Sequence, residues 1–154
     1  MSPNPATVDP VRATLEDARA LQSLANKSYE IFIPVMDAIP APMLANYAEL
    51  VRSHEVWILR TGTTLTASLV LIQQEDHLLI ESITVDPDHQ GKGCGQLLLN
   101  WARCRAEEMG HSELRLYTNV LMARNRAWYQ RAGFSETHEE QRGDKHIVHM
   151  QLFI

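Results

Sequence analysis

This chain has no run of the roughly 20 apolar residues that a membrane-spanning helix needs. Its first residues, MSPNPATVDP, carry neither the basic nor the apolar region of a signal peptide. It has no surplus of positive charge. The formal net charge is -5, which argues against nucleic acid or an anionic membrane as the main partner. Cysteine is nearly absent, with only Cys94 and Cys104. On one predicted helix, a rise of ~1.5 Å per residue sets them roughly 15 Å apart. A disulfide needs Cα atoms within about 7 Å, so free thiols and a reducing, cytoplasmic setting are expected. Repeats, low-complexity tracts and linkers are also missing. The 154 residues fit one domain, 1–154, with 1–6 as a loose tail. Glycine is scarce as well, seven in all, which makes it notable that Gly91, Gly93 and Gly95 stand together.

The rest of the chain reads as mixed α/β. VRAT is a first strand. Thr14 and Asp17 form a capping-box pattern that starts a helix near Leu15. That helix runs through LEDARALQSLANKSYEIF and is broken by Pro34. Pro42 opens a second helix, MLANYAELVRS. EVWILR, TLTASLVLIQQ and HLLIESITV are strands. CGQLLLNWARCRAEEM is a helix with Cys94, Leu97, Leu98, Trp101 and Cys104 on one face, stopped at Gly110. ELRLYTNV is a strand, ARNRAWYQRA a helix stopped at Gly133, and FSETHEEQ and HIVHMQLFI a closing pair of strands. The front half is antiparallel, and a crossover begins at the glycines.

Those glycines sit between a strand and a helix. The free N–H groups and dipole at a helix N-terminus favour an anion. Glycine lets the backbone approach a phosphate and allows the positive φ that turns successive N–H groups inward. Gln90 and Lys92 add a donor and a charge. A Walker loop needs Ser or Thr after its Lys, and Lys92 is followed by Gly93. A dinucleotide loop wants glycine where Gln96 stands, although Glu113 lies at a suitable distance beyond. A tight turn without a ligand would need fewer glycines.

The spacing Gln90-x-x-Gly93-x-Gly95 resembles the acyl-CoA pyrophosphate motif, Q/R-x-x-G-x-G/A, of the GCN5-related N-acetyltransferases (the GNAT family). ITVDPDHQGKG is similar to that family's fourth strand and turn. LYTNVLMARNRAWYQRAGF is similar to its second signature region, with Asn125, Tyr129 and Gly133-Phe134 in place. The resemblance covers about residues 8 to 154 in outline and 79 to 134 closely. It implies a GNAT fold: a central, mostly antiparallel sheet of six to seven strands, splayed between strands 4 and 5, flanked by about four helices. It also implies direct transfer of an acetyl group from acetyl-CoA to a primary amine of a small molecule or peptide, through a ternary complex. A homodimer is a family-level expectation. The alternative is a non-catalytic acyl-CoA sensor that keeps the loop and lacks the chemistry.

On that resemblance the pyrophosphate rests on Gly91, Lys92, Gly93, Cys94, Gly95 and Gln96, with Gln90 beside it. The pantetheine arm pairs with the backbone of Ile83, Thr84 and Val85, and Asn125 contacts the arm or fixes the local backbone. Tyr129 protonates the leaving thiolate, since a phenol can donate to a thiolate. Without the motif, Tyr129 would read as a core aromatic. An attacking amine must lose a proton, and Glu81 interrupts an apolar strand. In a regular strand it shares a face with Leu79, Ile83 and Val85, where a carboxylate's pKa should rise toward useful base strength. Glu81 serves as base or ammonium ligand; otherwise it is a solvated or Arg-paired strand residue. Tyr117 and Asn119 are placed to line the acceptor site. Tyr29, Phe32, Ile33, Met36 and Asp37 form a candidate apolar pocket with one acid, as compatible with ordinary packing as with binding. The negative net charge favours a cationic acceptor.

No metal is expected. His146 and His149 face opposite sides of a strand, and HEE at 138–140 lacks the second spaced histidine of a zinc helix. Cys94 lacks the surroundings of a nucleophile and reads as packing.

Overall fold

The computed structural model describes residues 8–154; the tail expected at 1–6 lies outside the described residues. In chain order, the elements are β1 (Val11–Arg12), α1 (Ala18–Tyr29), α2 (Ile33–Met36), α3 (Ala41–Leu44), α4 (Tyr47–Ser53), β2 (Glu55–Thr61), β3 (Thr64–Gln73), β4 (Leu78–Val85), α5 (Cys94–Glu108), β5 (Glu113–Asn119), α6 (Ala123–Arg131), β6 (Ser135–Arg142) and β7 (Lys145–Phe153). They form one seven-stranded sheet in the order β1-β2-β3-β4-β5-β7-β6. Every pairing is antiparallel except β4 with β5. That parallel pair meets only at Leu78↔Leu114 and Leu79↔Arg115. Beyond those residues the two strands part, so the sheet is splayed between them.

The two faces of the sheet are covered by different helices. β3 is buried from Leu65 to Leu71, as a strand covered on both faces must be. Leu69, Leu71, Leu78, Ile80, Leu98, Leu99, Ala102 and Leu114 make one core with α5. Leu21, Leu24, Ala25, Tyr47, Val56, Ile58 and Val70 make the other, with α1 and α4. Helices packed on both faces hold β4 against β3, and β5 is held by β7 along its whole length.

Several local expectations are corrected. The first helix is not continuous from Leu15. A tight 3-10 turn at Leu15–Asp17 precedes α1 and another at Glu30–Phe32 follows it. The Thr14 N–H does donate to Asp17 Oδ2 at 2.8 Å, as in a capping box. Pro34 lies in the first turn of α2, which ends at Asp37 in a left-handed conformation (φ 49°). The second helix is two pieces, because Ala45 is extended and the Asn46 side chain caps α4 by accepting from the Glu49 N–H. The buried face of α5 is Cys94, Leu98, Leu99, Ala102 and Ala106. Leu97 and Trp101 are half-buried at its flank, and Cys104 points to solvent. Leu99 and the two small alanines, rather than Trp101 and Cys104, let α5 lie close to the sheet. No described helix is long and apolar enough to cross a membrane.

Candidate active site

β4 and α5 place the glycine loop. Gly91 and Gly93 have φ of 79° and 87°, and a Cβ at either would stand in open space. The backbone conformation, not crowding, therefore requires glycine at both. Gly95 is different. It lies inside α5 with an ordinary φ, and its Cβ would meet Trp128 at 3.3 Å, so this glycine serves close packing of α5 on α6. The first bond within α5 runs from the Leu97 N–H to the Gly93 carbonyl. The N–H groups of Cys94, Gly95 and Gln96 are thus the unpaired ones of the helix start. Lys92 is exposed beside them, and the Gln96 side chain bonds to Asn100. The Cys94 thiol is buried in the core, and that burial raises its pKa. It offers its backbone here, not a nucleophile. Lys27 ties α1 to the loop through Asp86 and Asp88, at 3.1 and 2.9 Å.

The open edge of β4 begins where β5 departs. The Asp86 N–H donates to the Thr66 carbonyl at 2.8 Å. Antiparallel pairs alternate between bonded and non-bonded residues. On this register, with Thr84 opposite Ser68, Thr84 directs its backbone groups to β3. Ile83 and Val85 turn theirs to the open edge. So of the three residues expected to offer backbone groups to a ligand, Thr84 does not; its hydroxyl lies 3.4 Å from the Tyr29 oxygen.

Glu81 is the extra residue of a β-bulge. Val70 pairs with Ser82 and Leu71 with Ile80, leaving Glu81 unmatched. The bulge resets the alternation: Leu78 and Ile80 before it, and Ile83 and Val85 after it, all pack with the same core. The expectation that Glu81 shares a face with Ile83 and Val85 is therefore overturned. Its carboxylate lies in the splay instead, where the Tyr117 hydroxyl donates to it at 3.3 and 3.4 Å from the two oxygens.

A cavity of about 380 Å³ fills the splay. It brings together Tyr29, Met36, Glu81, Ile83, Tyr117, Asn119, Asn125 and Tyr129 of the expected residues. Phe32 and Ile33 do not line it. Phe32 packs on the α1 core, and Asp37 is exposed. Asn119 also holds a turn, accepting from the Leu121 N–H at 2.9 Å. The connector Pro40, Ala41 and Pro42 lines the cavity instead, with Tyr47 from α4 and Arg142, Asp144 and Lys145 from the β6–β7 turn. Nothing in the sequence marked that turn beyond its being a turn. Lys145 closes it over the cavity by donating to the Ile39 carbonyl at 2.8 Å.

All four tyrosines of the chain line this cavity. Their hydroxyls have different fates. Tyr29 donates to the Ile83 carbonyl (3.0 Å), Tyr47 to the Pro42 carbonyl (2.6 Å) and Tyr117 to Glu81. Among the described residues, no protein group hydrogen-bonds the hydroxyl of Tyr129. Burial, reinforced by the neighbouring Tyr29, holds its pKa well above the usual phenol range, so it stays protonated.

His146 and His149 each meet a separate carboxylate, Glu139 and Glu140. No group of three or more His, Cys, Asp or Glu among the described residues could hold a metal.

A family profile described as an acetyltransferase (GNAT) domain matches residues 52–136. No curated protein sequence matches the chain. Solved structures share the fold at low identity. The ribosomal-protein-S18-alanine N-acetyltransferase of Escherichia coli superposes with a TM-score of 0.72 at 19% identity, over 95% of this chain and 93% of that one. The PaiA N-acetyltransferase of Thermoplasma acidophilum, solved with coenzyme A, gives 0.76 at 16%, over 95% and 98%. The ribosomal-protein-alanine N-acetyltransferase of Brucella melitensis gives 0.71 at 17%, over 96% and 100%.

Proposed function

The chain belongs to the GNAT acetyltransferase domain family, and from that premise we propose that it moves an acetyl group from acetyl-CoA directly to a primary amine held in the cavity of the splay. Acetyl-CoA supplies the activated thioester. The residues present fit it. The unpaired N–H groups at the start of α5, reached over Gly91 and Gly93, would hold the pyrophosphate, with Lys92 adding charge. The N–H groups of Ile83 and Val85 on the open edge of β4 would take the carbonyls of the pantetheine arm, and Asn125 lines the path.

The observation that carries the reading is the free, protonated hydroxyl of Tyr129 in the same cavity as the Glu81 carboxylate. Tyr129 holds a proton where a departing thiolate needs one. Glu81, oriented by Tyr117, faces the acceptor and receives or binds its ammonium proton. Met36, Pro40, Pro42, Ala45 and Leu50 make the acceptor side of the wall apolar. This favours an amine with an apolar body. The net charge of -5 favours a cation over an acid. Two of the similar structures are named for ribosomal-protein alanine acceptors, so peptide N-termini belong beside small amines in any screen.

The test is release of the CoA thiol with a panel of small amines and peptides. At least one acceptor should raise turnover well above the rate of hydrolysis. Tight acetyl-CoA binding with no turnover on any acceptor would make the protein a sensor and not an enzyme.

A further inference from the structure

The open edge of β4 is guarded unevenly. Its carbonyls carry donors from other elements: Tyr29 on Ile83 at 3.0 Å, and on Val85 both Ser28 at 3.1 Å and Gln90 at 3.4 Å. Among the described residues, no side chain accepts from the N–H of Ile83 or Val85. The two α1 residues involved are well buried, Tyr29 at 8% and Ser28 at 7% exposure. They reach across a gap that a neighbouring strand would otherwise fill. A buried carbonyl without a donor costs free energy, so a splayed edge needs such partners.

Building on the acyl-CoA reading above, we infer that Tyr29 is a placeholder for the pantetheine arm: its hydroxyl holds the Ile83 carbonyl, and the arm's amide N–H displaces it on binding. Ser28 plays the same part at Val85, with Gln90 as a second donor there. The ligand and the protein then compete for the same acceptor. Removing the Tyr29 hydroxyl leaves the Ile83 carbonyl unmatched in the protein alone, and the arm restores the bond. The variant should therefore be less stable by itself and bind the ligand more tightly. A hydroxyl that only packs would leave the affinity unchanged when removed, and one that contacts the ligand directly would weaken it.

The experiment is calorimetric titration of wild type, Tyr29→Phe and Ser28→Ala with CoA and with adenosine 3′,5′-bisphosphate, which has no pantetheine arm. Melting temperatures are read with and without CoA. Tyr29→Phe should bind CoA about 3- to 10-fold tighter than wild type, the range of one hydrogen bond. It should melt lower alone and gain more from CoA. The bisphosphate should bind both proteins equally. Ser28→Ala should shift the same way by less, and it decides the matter if Tyr29→Phe does not fold. CoA affinity that is unchanged or weaker, or an equal gain with the bisphosphate, overturns the inference. Wild type that binds neither ligand overturns the acyl-CoA reading and the inference together, whereas CoA binding without the gain removes the inference alone.

Discussion

A phenol can protonate a leaving group only if its hydroxyl is not already committed and its proton is retained at working pH. Three of the four cavity tyrosines fail the first condition, since Tyr29, Tyr47 and Tyr117 donate to protein oxygens. Tyr129 meets both, because burial keeps its pKa raised. Tyr129→Phe removes the donor and little volume. On the proposed mechanism it should lower kcat by about 100-fold or more, the usual scale of general acid catalysis, and leave KM for acetyl-CoA within a few-fold. Steady-state kinetics checks this. The raised pKa also sets a sign: the essential proton is lost only above the ordinary phenol value of about 10. The rate profile should therefore show no falling limb from Tyr129 below that pH. A limb near pH 9 that vanishes in Tyr129→Phe would contradict the raised pKa but not the role of Tyr129 as proton donor. Glu81 gives a complementary outcome. Glu81→Gln keeps the Tyr117 bond but removes the charge, so kcat/KM for the amine should fall while CoA affinity stays. Initial rates against amine, with CoA binding measured in parallel, separate the two.

At the scale of elements, the glycine stretch shows what could be read from the sequence. The glycine loop leading into α5 was legible, because glycines before an apolar periodic run have few uses. That Gly91 and Gly93 carry positive φ while Gly95 packs against Trp128 was not, because spacing does not report the neighbour across the fold. Glu81 teaches the same point. Its oddity in an apolar strand was visible, but the bulge that turns it into the splay depends on pairing with β3. Asn46 carried a local signal, a helix-capping residue before Tyr47, which the longer helical pattern masked. The β6–β7 turn carried none, since Arg142, Asp144 and Lys145 reach the cavity only through the order of the sheet. The glycines make separable predictions. Gly93→Ala must hold an alanine at φ 87°, which costs about 1–2 kcal/mol, and it distorts the unpaired N–H groups. It should lower both the melting temperature and CoA affinity. Gly95→Leu pushes Trp128 and so α6, which carries Tyr129. It should depress kcat beyond its effect on CoA binding.

At the scale of the whole molecule, α5 must be fixed to the sheet for the loop and the cavity to keep their relation. One clamp lies away from the cavity, at the other end of the helix. Arg105 of α5 bonds Glu55 of β2 twice, at 2.9 and 2.7 Å, and Trp57 Nε1 donates to the same carboxylate at 2.9 Å. Trp101 packs edge-on against Trp57, 5.2 Å between ring centroids. Burial alone would raise the pKa of Glu55, but the bonds from Arg105 and Trp57 outweigh it and the net shift is downward. A carboxyl whose pKa is lower folded than unfolded contributes stability above its unfolded value, about 4.3, and loses it as pH falls through the folded value. Glu55→Gln removes that charge at every pH. At pH 7 the variant should be less stable by about 2 kcal/mol, the scale of hydrogen bonds to a charged group. As pH falls below the unfolded value of about 4.3 the wild type progressively loses this contribution, so the gap between the two melting temperatures should narrow. A gap that stays constant from pH 7 to 3 would mean that Glu55 acts by shape and not by charge. Because the clamp lies outside the cavity, kcat at a temperature where both proteins are folded should be alike, whereas half-lives at higher temperature should differ.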